Sequence, residues 1–347
     1  MRAAVYRGVD DMRVERVPIP EIGPGEALVK IDCCGVCGTD IKKVHYGLVA
    51  PPRIFGHEMA GKIAALGAGV QGWRVGDRVA VMHHVPCLEC YYCKQRDYAQ
   101  CATYLRTGTT SGFEPAGGGF AEYIRVMDWI VQRGMVRLPD DVSYEEATFI
   151  EPVNTCLKAV LKANVTPGQT VFIVGQGQIG LLFTQLAKWR DATVFASDRM
   201  DYRLETSLAM GATAVFRAGE ADIPSEICAR TDGRGADLAI VAVADNAVVA
   251  EAFQSVRAGG KVMLFAATRL GDPLQVDAGA VCMLEKDLIG SYSADVTIQD
   301  ETANLIFNRV VNVRDLVTHR FPLEEIGAAI HMAVNPQQGS LKVMVKL

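Results

Sequence analysis

Residues 175–180 read GQGQIG, and they constrain the fold more than any other stretch of the chain. A G-x-G-x-x-G pattern alone is weak, because glycine-rich turns are common. Here it stands between TVFIV, a short apolar run rich in β-branched residues, and QIGLLFTQLAKW, whose apolar residues recur at helical spacing. In a strand–turn–helix of this kind Gly175 serves the tight turn and Gly177 lets the backbone approach a pyrophosphate. Gly180 lets helix and strand pack closely, with Gln178 and Ile179 opening the helix. The phosphate then meets unpaired N–H groups and the positive end of the helix. Asp198 follows 23 residues after Gly175, at the end of the next apolar run. A carboxylate there accepts from the adenosine ribose hydroxyls and repels a 2′-phosphate, so the fingerprint reads as NAD, although Arg199 beside it favours the phosphorylated cofactor.

The same rhythm continues. TVFASD reads as a strand, DYRLETSLAMGA as a helix ending at Gly211, and ADLAIVAV, AVVAEAFQSVRAGG and KVMLFAAT carry the alternation on to KDLIGSYS, a sixth strand. Strands alternating with helices imply βαβ units and a parallel sheet covered on both faces. Residues 1–151 differ. Short alternating runs such as EALVKIDCCGV and RVGDRVAVM are broken by Gly and Pro, which predicts a β-rich, barrel-like domain. The expected division is 1–151, completed by a returning tail at 295–347, and 152–294 for the dinucleotide-binding domain.

With 347 residues, half of them hydrophobic, the chain has material for two full cores. Its net charge of -5 and lack of a basic tract give nucleic acid no electrostatic footing. The opening MRAAVYRGVDDMRVERVPIP carries charges throughout and has no apolar core of a signal peptide. No run of about 18 apolar residues suggests a membrane span. A cytoplasmic location is expected, where thiols stay reduced.

That matters for residues 83–101, HHVPCLECYYCKQRDYAQC, where Cys87, Cys90, Cys93 and Cys101 follow the spacing C-x2-C-x2-C-x7-C. Four thiolates in one loop suit tetrahedral zinc in a closed, structural site; an iron–sulfur cluster or metal-free thiols are the alternatives. A second set is dispersed: Cys37 in CGVCGTD, His57 and Glu58 in FGHE, and Glu151 in IEPVNT. Each alone reads as a core or surface residue. Together they offer one thiolate, one imidazole and one or two carboxylates, the composition of an open, catalytic zinc site.

GVCGTD, GHE, the cysteine loop, GGFAEY, EP, G-x-G-x-x-G and THRFPLEE occur in this order, and with them the chain resembles the zinc-dependent medium-chain dehydrogenases, in particular the sorbitol (L-iditol) and threonine dehydrogenase branch. The resemblance spans nearly the whole length. It implies a GroES-like catalytic domain, a Rossmann NAD-binding domain, two zinc ions per chain and a homodimer or homotetramer. By resemblance Cys37 and His57 are zinc ligands, Glu58 is a third ligand or its outer partner, and Glu151 holds the remaining ligand position. Asp40 orients His57. Thr39 passes the substrate proton. Arg203 joins Ile179 and Asp198 at the adenosine half of NAD, while Phe265, Ala266, Ala267, Ser291, Tyr292 and Ser293 lie by the nicotinamide.

Two departures from the family pattern stand out. Lys42 occupies the place where the family often has a proton-relaying histidine, with His45 the nearest one. Near the sixth strand, GSYSAD offers Ser293 and Ala294 where sorbitol dehydrogenases carry an arginine and a tyrosine. The expected activity is hydride transfer between NAD and a small-molecule secondary alcohol or polyol, sorbitol-, iditol- or cyclitol-like. The alternatives are amino-alcohol oxidation of the L-threonine 3-dehydrogenase kind, and a non-catalytic NAD-binding protein on the same fold.

Overall fold

The computed structural model describes residues 1–113, 116–266 and 271–347. It divides into two compact units, Met1–Asn154 with Ala294–Leu347, and Thr155–Ser293.

The first unit has the GroES-like architecture, a curled and mostly antiparallel sheet. Its longest strands, Ala27–Gly35 and Glu58–Leu66, pair antiparallel. The sheet continues through Arg78–Val81 to Met135–Arg137 on one side, and through the C-terminal strand Lys342–Lys346 to Val317–Pro322 on the other. Strand Ala27–Gly35 alternates buried and partly exposed residues in its first half, the signature of a sheet with one face on a core. That core gathers Val5, Tyr6, Ile31, Phe55, Met59 and Phe120. The returning C-terminal strand is an integral part of this sheet: Met344, Val345 and Lys346 register against Gly35, Cys34 and Cys33.

The second unit is a Rossmann-type parallel sheet. Its strands are β1 (Thr170–Val174), β2 (Thr193–Asp198), β3 (Ala214–Arg217), β4 (Ala236–Val241), β5 (Val256–Leu264) and β6 (Asp287–Gly290), in the spatial order β3-β2-β1-β4-β5-β6. Every pair is parallel. The order reverses beside β1, the switch point at which dinucleotides bind in such sheets. β1 is buried along nearly its whole length, as expected of a strand covered on both faces. The helix after β4, Asn246–Ser255, passes directly into β5 at Val256, so VRAGG belongs to the strand. Among the described residues no helix is long and apolar enough to cross a membrane.

Candidate functional site

In the second unit the turn after β1 feeds helix α1 (Gln178–Trp189), whose N-cap is Gly177. Gly175 has φ +89°, a left-handed conformation that favours glycine. A Cβ on Gly180 would collide with the carbonyl oxygen of Gly175, so the close strand–helix approach needs a glycine there. Gly177 is different: a Cβ would meet only the Arg203 guanidinium, at 3.8 Å. Among the described residues no packing demands that second glycine, which fits a requirement set by a bound ligand. Asp198 ends β2 and is buried. Its Oδ2 accepts from the Gln176 amide at 2.7 Å and its Oδ1 from the Met200 amide at 2.9 Å, while Arg203 stands 3.6 Å away. These bonds fix the carboxylate at the mouth of the glycine turn. Phe265 packs edge-on against Phe183 of α1, with ring centroids 4.8 Å apart. Ala266 follows it; Ala267 lies outside the described residues. Ser291 is buried with an Oγ that has no partner among the described residues, Tyr292 is exposed, and Ser293 adopts φ +61°.

In the first unit, helix Gly38–Tyr46 begins at Cys37, its N-cap. One turn on, Asp40 points inward and is fully buried. Its Oδ1 faces His57 Nδ1 at 3.2 Å and accepts from the Gly56 amide at 3.3 Å. Asp40 thereby fixes the ring so that its other nitrogen is left for Cys37 and a metal. Burial opposes the charged imidazole, but Asp40 and Cys37 beside it raise the His57 pKa well above the ordinary value. The ligand atoms of Cys37, His57 and Glu58 all lie within 4.8 Å of one another. Glu151 sits in the first turn of helix Ile150–Ala163, outside that tight set. Burial, with Glu58 nearby, pushes its carboxyl up to about 7, against the pull of His57 and Lys342. Thr39 is exposed and Lys42 half-buried on the helix that Cys37 caps; His45 turns away to Asp10 at 3.0 Å.

Sequence reasoning missed Lys342. It is fully buried, donates to the Glu58 carboxylate and reaches the Val36 carbonyl at 3.2 Å. Gly35 makes room for this pair, since a Cβ there would collide with Glu58 Oε2. Also missed were His83 and His84, which follow strand Arg78–Val81. Burial pushes the His83 pKa well below its ordinary value, and that of His84 to about 4.

The donors fit zinc. Cys37, His57 and Glu58 bring a thiol, an imidazole and a carboxylate to within 4.8 Å of one another, with the Glu151 carboxyl beside them, and these are the ligand types of an open zinc site. In the loop, Cys87, Cys90, Cys93 and Cys101 are all free thiols. Their sulfurs lie 3.5 Å (Cys90–Cys93), 3.6 Å (Cys101–Cys87) and 3.9 Å (Cys87–Cys93) apart. Tetrahedral Zn–S bonds of about 2.3 Å put sulfurs about 3.8 Å apart. The amides of Cys87 and Cys90 point at Cys101 and Cys87 sulfurs, both at 3.4 Å. Burial works against the Cys101 thiolate, yet such amide donors bring its pKa down to about 6.

The family models agree with both halves. Residues 23–140 match the alcohol dehydrogenase GroES-like domain, and residues 179–308 match the zinc-binding dehydrogenase model. The chain is 34% identical to a sorbitol dehydrogenase of Bacillus subtilis (strain 168), covering 99% of this chain and 97% of the relative. It is 28% identical to an L-threonine 3-dehydrogenase of Symbiobacterium thermophilum, covering 96% and 94%. Among solved structures, a zinc-binding dehydrogenase of Sinorhizobium meliloti 1021 bound to NADP superposes with a TM-score of 0.90 at 27% identity, covering 100% of this chain and 99% of that one. This chain therefore belongs to the zinc-dependent medium-chain dehydrogenases, among relatives of the sorbitol and threonine dehydrogenase type, and is an oxidoreductase of the alcohol dehydrogenase class.

Proposed function

We propose that the protein oxidises a secondary alcohol or polyol with NAD, using one zinc for catalysis and one for structure. The observation that carries this reading is the convergence of Cys37 and His57, with Asp40 behind the histidine and the Glu58 and Glu151 carboxyls beside them, in a chain that also keeps the four-cysteine loop. A relative that had abandoned alcohol chemistry would have no need of both sets.

Cys37 and His57 are two ligands of the catalytic metal. Lys342 already balances Glu58, which supports Glu151 as the third protein ligand and Glu58 as the buried charge behind it. Zinc in such a site supplies Lewis acidity, which lets an alcohol hydroxyl lose its proton near neutral pH. Asp40 holds the His57 ring in one tautomer and orientation. Thr39, two residues beyond Cys37 and exposed at the start of the helix, receives the hydroxyl proton and hands it on to water. NAD supplies the hydride acceptor. Gly177 gives its pyrophosphate room, and Asp198 takes the adenosine ribose. Cys87, Cys90, Cys93 and Cys101 would hold the second zinc through four thiolates, and that site would tie the loop together.

The homo-oligomer expectation has support in one surface. β6 is an edge strand, and Met283, Leu284, Leu288 and Tyr292 are exposed on it and beside it. An unpaired edge with apolar neighbours is a place for a second copy to pair.

The test is NADH formation by purified protein against a panel of diols, linear polyols, cyclitols, simple secondary alcohols and L-threonine. Turnover of polyols or secondary alcohols above L-threonine supports this reading. Turnover of L-threonine above all others selects the amino-alcohol alternative.

A further inference from the structure

A run of four rings leads away from the catalytic histidine. His57 and His83 have centroids 4.7 Å apart, His83 and His84 4.0 Å, and His84 and Tyr104 5.0 Å, the last pair stacked at 24°. The backbone here is pinned, because the His83 carbonyl accepts from the Gly108 amide at 2.8 Å. The His84 ring is held as well, by hydrogen bonds to the backbone at Arg106 and Tyr104. The Nδ1 atoms of His83 and His84 are both buried, and neither has a hydrogen-bond partner among the described residues. Buried polar atoms are almost always paired, so two adjacent ones beside a reaction centre point to a partner that arrives with the substrate.

Position says which part of the substrate. His57 gives Nδ1 to Asp40 and turns its other nitrogen to Cys37 and the metal. The reacting oxygen must therefore sit against the His57 ring. His83 is in ring contact with His57, with centroids 4.7 Å apart, which brings it within reach of a group next to the reacting carbon. An imidazole in either tautomer offers one N–H and one lone pair, and a hydroxyl offers the same two functions. We propose that His83, backed by His84, binds the hydroxyl on the carbon next to the one oxidised, and so selects vicinal diols and polyols over simple alcohols. This rests on the dehydrogenase reading above and narrows its substrate class. An alcohol without the second hydroxyl leaves the buried nitrogen unpaired, and sites built to bond a hydroxyl reject analogues that lack it.

The test uses the zinc- and NAD-loaded enzyme with butane-2,3-diol and butan-2-ol, which share a carbon skeleton. Wild type should favour the diol in kcat/KM by about tenfold or more. In His83→Leu, kcat/KM for the diol should fall at least about tenfold further than that for butan-2-ol, mostly through KM. His83→Gln, which keeps a donor and an acceptor, should recover part of the preference and covers the case in which the leucine variant folds poorly. Zinc content and NADH binding serve as controls for a general structural effect. Equal losses on both substrates, or an unchanged ratio, overturn the assignment. A wild type with no preference for the diol overturns it too, while leaving the dehydrogenase reading intact. A wild type that reduces NAD with no alcohol of the panel defeats the dehydrogenase reading itself.

Discussion

Lys342 donates into the carboxylate of Glu58 across 284 residues of chain, and both side chains are 1% exposed. Removing one partner of a buried pair leaves the other charged and unpaired, at a cost of about 3–5 kcal/mol. Lys342→Met should lower unfolding stability by about that amount, read from urea titration of the zinc-loaded protein. Lys342→Met combined with Glu58→Gln should recover most of it. If the double variant is no better than the single, the loss comes from packing and the pair is not what holds this corner together.

The same pair bears on the metal. With Glu58 committed to Lys342, Glu151→Gln should weaken zinc retention at the catalytic site by about tenfold or more, in the range found when ligands or their partners are removed. Glu58→Gln should weaken it less. Competition with a chromogenic chelator measures both, and Cys93→Ser fixes the baseline by emptying the structural site alone. A larger loss for Glu58→Gln would make Glu58 the ligand.

These expectations show what a sequence carries and what it does not. The glycine turn and the cysteine loop were legible because their geometry is local: a strand, a helix and four thiols within one or two turns of chain specify their own arrangement. Asp40 was reachable through the family pattern around Cys37. Lys342 was not. It stands in LKVMVK, whose alternation suits a half-exposed strand, and only the pairing of that strand beside Gly35 turns its ammonium toward Glu58. His83 and His84 were hidden for a similar reason. Their neighbour His57 lies 26 residues earlier, on the other side of strand Glu58–Leu66 in the chain, and nothing in HHVPC announces the ring contact. The start of β5 at Val256 escaped because no turn separates it from the helix before, so that VRAGG, grouped in sequence with AVVAEAFQS, lies inside the strand.

Asp198 offers a test of cofactor choice. Charge-assisted hydrogen bonds are worth about 1.5–3 kcal/mol each, so Asp198→Ser should weaken NAD binding by about 10- to 100-fold. It should improve NADP use, because the like charge is removed while Arg199 and Arg203 remain. It should also cost some stability, since the Gln176 and Met200 amides lose their acceptor. The readout is the ratio of kcat/KM with the two cofactors. A wild type that already prefers NADP would place Arg199 above Asp198.

Glu146 provides a pH signature away from the metal sites. Burial raises its pKa, but Arg314 at 2.7 Å and the Ser143 amide at 2.9 Å outweigh that and hold it below the ordinary carboxylate value. A carboxylate depressed in the folded state adds stability that is present above its unfolded pKa of about 4.3 and is lost as pH falls through the folded value. Glu146→Gln should therefore be less stable than wild type by about 1–3 kcal/mol at neutral pH, discounted for the half-exposed Arg314, and the gap should close below about pH 4. A gap that does not change with pH would mean that lost capping of helix Tyr144–Ala147, and not ionisation, causes it.

The most direct measurement is NADH formation from a polyol by one protein sample in three states: as purified, stripped of metal by a chelator, and restored with zinc. Activity should be present in the first, absent in the second and regained in the third, with about one zinc per chain beyond the structural one accompanying its return. Activity that survives complete removal of metal, or zinc-replete protein that reduces NAD with no alcohol, would contradict a zinc-dependent dehydrogenase built on Cys37 and His57.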